Sequence, residues 1–114
     1  MTEKQIQNLI LLTFGTRHDM RLWRANVGMA RMGRRVVRFG VPGQADLSGI
    51  LPGGIRLEIE VKTNSGQQTP QQKNYQRIIE RFGGVYVLAR CVDDVWNAIG
   101  RYLGVATENH DRAA

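Results

Sequence analysis

Eight residues, Ile55-Arg56-Leu57-Glu58-Ile59-Glu60-Val61-Lys62, alternate apolar and charged without a miss. An extended chain sends successive side chains to opposite faces, so this stretch predicts a β-strand over 55–62. Ile55, Leu57, Ile59 and Val61 face a core, while Arg56, Glu58, Glu60 and Lys62 share the other side. Glu60 and Lys62 then stand roughly 7 Å apart along the strand. A charged strand face is ordinarily solvated, and on that reading Glu58 is a solvated partner for Arg56. Upstream, however, Pro42-Gly43-Gln44-Ala45-Asp46-Leu47 sets a lone Asp at the head of a second short apolar run, fourteen residues before Glu60.

The rest of the chain reads as one domain over 1–104 with a polar, disordered tail from 105 to 114. Thr2 and Gln5 form a capping box for a helix to residue 14, with Ile6, Leu9, Ile10 and Phe14 at helical spacing. Glu3 falls in its first turn, where a carboxylate favours the helix dipole. Strands follow at about 22–27, with Trp23, Ala25 and Val27 on one face, and at 36–39. The glycine-flanked segment 28–35 between them reads as a mobile hairpin loop. Ala45 to Leu51 is a third strand, and Pro52-Gly53-Gly54 turns into 55–62. Thr69-Pro70-Gln71-Gln72 carries an N-cap, a proline suited to the first helical position and a second capping box. That helix presents Tyr75, Ile78, Ile79 and Phe82 and stops at Gly83-Gly84. Val85 to Ala89 is almost wholly apolar and reads as an internal strand. Asp93 or Asp94 caps a last helix with Val95, Trp96, Ile99, Tyr102 and Leu103 inward. A helix between strands 55–62 and 85–89 makes a crossover, so those two run parallel.

Charge is segregated. The net charge is +6, and residues 17–38 hold seven arginines (Arg17, Arg21, Arg24, Arg31, Arg34, Arg35, Arg38) against Asp19. This window accounts for the whole excess, and arginine suits forked phosphate contacts. Nucleic acid is the leading partner, with Arg24, Arg31, Arg34, Arg35 and Arg38 as candidate contacts. No apolar run approaches membrane-spanning length, and the N-terminus lacks a signal-type apolar region. With one cysteine, Cys91, no internal disulfide forms; it reads as a small packed residue in a cytoplasmic protein. His18 and His110 have no companions at zinc-ligand spacing.

A Glu-x-Lys pair on an alternating strand, behind a turn-and-Asp segment in an α-β-β-β-α-β order, resembles the PD-(D/E)XK nuclease superfamily. More closely it resembles the stand-alone virus-type replication-repair nuclease (VRR-NUC) domain. The resemblance runs from Glu3 to about Ile99. Glu3 with Ile6-Gln7 resembles the family's opening helix, and Trp23-Arg24-Ala25-Asn26-Val27-Gly28 its first strand. Gly40-Val41-Pro42-Gly43-Gln44-Ala45-Asp46-Leu47 resembles the segment with the metal-binding Asp, although Ala45 replaces the proline of the literal "PD". Glu60-Val61-Lys62 matches the catalytic strand, Thr69-Pro70-Gln71-Gln72 the helix that brings a Gln to the site, and Gly83-Gly84-Val85-Tyr86-Val87 the closing strand.

That resemblance implies an α/β, restriction-endonuclease-like αβββαβ core, its mixed central sheet flanked by helices. It also implies an endonuclease dependent on Mg²⁺ (or Mn²⁺), bacterial or phage-encoded, with Asp46, Glu60, Lys62, Gln72 and Glu3 catalytic. Asp46, Glu60 and the carbonyl of Val61 are the implied metal ligands. Hard oxygen donors at Asp46 and Glu60 suit such an ion, which takes one or two carboxylates and keeps several waters. Lys62, one repeat along the same face, can position a water or offset charge developing on phosphorus. The stand-alone enzymes are similar to homodimeric Holliday-junction resolvases, which implies branched DNA (a four-way junction or flap) as substrate. The alternatives are a non-catalytic nucleic-acid-binding module built on residues 17–38 and an RNase on the same fold. A carboxylate pair on a phosphate-facing surface repels the ligand unless a cation intervenes, which favours the enzyme.

Overall fold

The computed structural model describes residues 1–25 and 28–104. Expectations for Asn26 and Val27, for the side chains of Arg31 and Arg38, and for the tail from 105 lie outside the described residues. Along the chain run α1 (Glu3–Phe14), β1 (Arg21–Arg24), β2 (Gly28–Met32), β3 (Arg35–Phe39) and β4 (Leu47–Leu51). A 3-10 turn (Pro52–Gly54) leads into β5 (Ile55–Val61), followed by α2 (Pro70–Arg81), β6 (Val85–Ala89) and α3 (Val92–Ile99).

The alternating stretch forms β5, an inner strand of a four-stranded sheet ordered β1-β4-β5-β6. β1 and β4 pair antiparallel, as do β4 and β5, while β5 and β6 run parallel across the α2 crossover. The fold is α/β with a mixed sheet flanked by helices. On one side Leu57, Ile59 and Val61 meet Ile6, Ile10 and Phe14 of α1 and Val95 and Ile99 of α3 in the main core. Each such fully buried side chain contributes about 1.5–3 kcal/mol. On the other side α2 lays Tyr75 over Ala45 and Tyr86, with Ile79 packed against them.

Both faces of β5 are therefore covered, and its charged side is not the solvated face the alternation suggests. Glu58 is fully buried and Glu60 is 3% exposed. β6 is an edge strand among those described, not an internal one. Its continuous apolar character has another origin: α3 packs on one of its faces and α2 on the other. Residues 28–32, read as loop, form β2, which pairs with β3 in a two-stranded ribbon apart from the main sheet. Met32 pairs with Arg35, leaving Gly33 and Arg34 as a two-residue turn. Gly33 has φ 65°, and hairpin turns of this length want a left-handed first residue.

Both capping boxes form, at Thr2 with Gln5 and at Thr69 with Gln72. The cap of α3 is Cys91 rather than an aspartate; Asp94, in the first turn, accepts the Arg90 N–H instead (2.8 Å). Cys91 is exposed rather than packed. α2 buries Tyr75 and packs Ile79 against the same cluster, whereas Ile78 and Phe82 of its apolar stripe stay exposed at 43% and 80%. Leu9 of α1 likewise sits at the rim.

One turn ties this scaffold to the start of α2. Gly43 has φ 78°, and a Cβ there would lie 2.3 Å from the Gln71 carbonyl oxygen and 2.9 Å from the Gln72 nitrogen. Gly53 has a comparable φ of 84° with nothing within 4 Å. Gly53→Ala therefore carries only the backbone strain of about 1–2 kcal/mol, whereas Gly43→Ala must also push α2 away. Urea denaturation should show Gly43→Ala losing clearly more stability than Gly53→Ala. Equal losses would mean that the start of α2 yields freely.

Candidate active site

β4 begins one residue too late to include Asp46, and that offset makes the site. Leu47 pairs with Ile59, so Asp46 stands opposite Glu60 just beyond the end of the ladder. There its backbone carbonyl accepts the Ala25 N–H (2.9 Å), and its Oδ2 accepts the Val61 N–H (2.8 Å). The carboxylate thus replaces the missing ladder partner and is locked to β5. Lys62 follows immediately, its own N–H bonded to the Ala89 carbonyl (3.0 Å). Its Nζ lies 3.4 Å from Glu60 Oε2, and the side chain is largely buried.

α2 reaches Glu60 through its first turn. Gln72 Oε1 accepts the Thr69 N–H (2.9 Å), closing the capping box, while Gln72 Nε2 donates to Glu60 Oε2 (3.0 Å). The cap and the site contact coexist because each uses a different end of one amide. One helical turn on, the Tyr75 hydroxyl donates to Glu58 Oε1 (2.6 Å), and Arg56 Nε donates to Glu58 Oε2 (2.7 Å). Two carboxylates spaced i, i+2 on a strand therefore meet two donors spaced i, i+3 on the overlying helix. The Glu58–Tyr75 rung went unread in the sequence. Its signal was present, because the i, i+3 spacing puts Tyr75 on the same helix face as Gln72.

Glu60 is close to a buried charge without enough support. Burial and then the neighbouring Asp46 push its carboxyl up to about 7, with Lys62 pulling the other way. Asp46 is also raised, chiefly by burial, against the lowering effect of the Val61 N–H. Glu3, half-buried at the start of α1, raises both through its charge, so it belongs electrostatically to the same group. Glu60 Oε2 has Gln72 and Lys62, but Oε1 is buried with no hydrogen-bond partner. Two adjacent acids, one with an orphaned oxygen, are the donor set a hard divalent cation takes. Among the described residues, no three acidic, histidine or cysteine side chains form a ready-made cage. The fit is to an ion that completes its shell with water and ligand oxygens.

Of the arginines, Arg24 lies on the other side of β1 from this group, donating to Gln7 (2.6 Å) and to Asn8 of α1. Arg34 and Arg35 are exposed at the tip of the β2–β3 ribbon. A cleft of about 470 Å³ opens beyond the C-terminal ends of β5 and β6, lined by Met1, Thr63, Asn64, Arg90 and Cys91 among others. No helix among the described residues is long and apolar enough to cross a membrane.

No protein-family model matches the sequence, and no curated protein matches it. Among solved structures, the chain is similar to one titled "VRR_NUC domain protein", with a TM-score of 0.61 and 21% identity. The match covers 90% of this chain and 88% of that one, so the two share a fold along nearly their whole length.

The raised carboxyl of Glu60 sets a sign for stability against pH. Between its ordinary value of 4.5 and about 7, the folded protein holds a proton that the unfolded chain releases. Folding therefore weakens as pH rises through that window, by about 2–3 kcal/mol. In denaturant titrations without divalent cations, Glu60→Gln should be more stable than wild type at pH 8. The gap should close toward pH 4.5. A less stable Glu60→Gln at pH 8 would show that the Lys62 pair outweighs burial.

Proposed function

We propose that this protein is a metal-dependent endonuclease that hydrolyses DNA phosphodiester bonds at Asp46 and Glu60. The observation that carries the reading is the acid pair itself, Glu60 buried and Asp46 half-buried, with one orphaned oxygen and a lysine 3.4 Å away. Such a pair weakens the fold when charged, and a bound cation turns that liability into a site. The shared fold with a structure titled "VRR_NUC domain protein" supports it.

Asp46 and Glu60 would hold Mg²⁺ or Mn²⁺, with the Val61 carbonyl as a third oxygen. The ion would supply an activated water and offset charge at phosphorus. Lys62 places a positive charge beside the same carboxylate, where it neutralises negative charge as phosphorus becomes five-coordinate. Gln72 fixes the orientation of Glu60, and the Val61 N–H fixes that of Asp46. Glu3 adds negative potential that favours a cation over a bare pair. The arginines of the ribbon bring in the phosphate backbone.

A single group of this kind cuts one strand, so two-strand cleavage takes two copies. A homodimer presents two such groups about a two-fold axis, which matches the symmetry of a four-way junction. The finer reading is therefore a Holliday-junction-resolvase-like dimer that prefers branched DNA to linear duplex.

Junction, flap, duplex and single-stranded RNA substrates should be compared with Mg²⁺, Mn²⁺, Ca²⁺ or EDTA. Cleavage should require Mg²⁺ or Mn²⁺, favour junctions, and fall at least about 100-fold in Asp46→Asn, Glu60→Gln and Lys62→Ala. Ca²⁺ should support binding with little cleavage. Mg²⁺ should raise the melting temperature of wild type by several degrees and leave Glu60→Gln unmoved. Full activity in EDTA would refute the site. Preferential cleavage of RNA would move the reading to an RNase. A monomer that nicks linear duplex as fast as junctions would refute the finer reading alone.

A further inference from the structure

The strand register carries the acid pair's face across the whole sheet. Trp23 pairs with Ser48, which pairs with Glu58, so Trp23 points to the same side as Glu58 and Glu60. One step further from the acids, Arg21 pairs with Ile50, which pairs with Arg56. This face is closed over β5 and β6 by α2 and buries Ser48 of β4, yet it opens at Trp23 of β1 (42% exposed) and Ile50 of β4 (45%). Ile50 thus lies uncovered between Arg21 and Arg56, with the exposed Trp23 indole beside it in the next row of the register. From strand spacing and rise, the Trp23 backbone lies about 8 Å from that of Asp46. That is within the reach of one nucleotide.

The chemistry of this strip is specific. A protein surface that only repels water-soluble neighbours has no use for an exposed indole beside cations. A nucleotide presents the complement, a flat π-face with an anion attached to it. Bases stack on aromatic side chains without sequence preference, and arginine holds the phosphate alongside. In duplex DNA the π-faces are hidden in the stack, so the strip fits only an unpaired base. The chain's other tryptophan makes the contrast. Trp96 packs against Phe14 (4.7 Å between ring centroids) and under the Arg17 guanidinium, and is not available to a ligand.

We propose that Trp23 and Ile50, beside Arg21 and Arg56, form a platform on which an unpaired DNA base next to the scissile phosphate stacks. This deepens the nuclease reading of Asp46 and Glu60 and rests on it for the position of the phosphate. It also gives a physical reason for one branched substrate, the flap, whose single strand supplies unpaired bases at the branch.

The test uses the full chain in Ca²⁺ with two probes, a twelve-nucleotide oligothymidine and an abasic chain with the same phosphates. Affinity is read from the anisotropy of a labelled probe. In Trp96→Phe protein, where Trp23 is the remaining indole, oligothymidine should quench the fluorescence and the abasic chain should not. Oligothymidine should bind about ten- to a hundred-fold tighter than the abasic chain. Trp23→Ala should erase that preference, and Trp23→Phe should restore most of it. Circular dichroism melting reports whether each variant folds, and the exposed position of Trp23 predicts that all do. Equal affinity for the two probes, or an unchanged preference in Trp23→Ala, would overturn the platform. An oligouridine of the same length serves as a control, and a larger quench and tighter binding with it than with oligothymidine would overturn the commitment to DNA. The nuclease reading fails separately: if Glu60→Gln cleaves like wild type while oligothymidine still quenches Trp23, the acid site is wrong and the platform stands.

Discussion

The hydrogen bond from the Val61 N–H to the Asp46 carboxylate is the contact on which the site depends. A strand that ended normally would satisfy Val61 with a backbone carbonyl from β4, and the two chains would simply part. Here the ladder stops at Leu47, and a side chain completes it. The acid is thereby held beside Glu60 by a bond that any extended backbone can donate. Because that bond favours the charged form, Asp46 keeps an incentive to ionise even while burial raises it. Glu60, with no comparable backbone donor and an unpartnered oxygen, is left as the group whose charge needs outside help.

Around that bond, α2 acts as a clamp with two rungs. Gln72 meets Glu60 and Tyr75 meets Glu58, with the side chains spanning the difference between a strand's two-residue repeat of about 6.7 Å and a helix's three-residue rise of about 4.5 Å. The lower rung is structural: Glu58 is buried with both oxygens engaged, by Tyr75 and Arg56. The upper rung leaves Glu60 half engaged. Removing one partner of a buried pair strands a charge, so the two rungs differ in consequence even though the sequence writes both as Glu. Gly43, tucked against the Gln71 carbonyl, sets how close the clamp sits.

Much of this was legible in the chain itself. Strict alternation at 55–62 gave the strand, two capping boxes gave helix starts, and the crossover gave the parallel pair. Asp46, Glu60 and Lys62 were named from motif and placement and Gln72 from the family resemblance, and the structure gathers all four at one end of the sheet. What the sequence hid were matters of coverage. Alternation tells which residues share a face, and says nothing of what lies over it, so Glu58 was read as solvated when α2 buries it. The same limit explains β6, whose apolar run reflects helices on both faces rather than strands on both sides. It applies also to Phe82, periodic with the apolar stripe of α2 yet 80% exposed. Residues 28–32 lack any apolar alternation, and they pair with β3 in a ribbon separate from the main sheet.

The central claim is that Asp46 and Glu60 form a pair whose joint ionisation calls for a divalent cation. Carbon-13 NMR of the side-chain carboxyls, followed across pH with and without Mg²⁺, reads this directly. The account predicts that Glu60 titrates near 7 in the metal-free protein, and that Mg²⁺ moves its transition well into the acid range together with that of Asp46. A Glu60 that titrates at its ordinary value, with a midpoint indifferent to Mg²⁺, would contradict it.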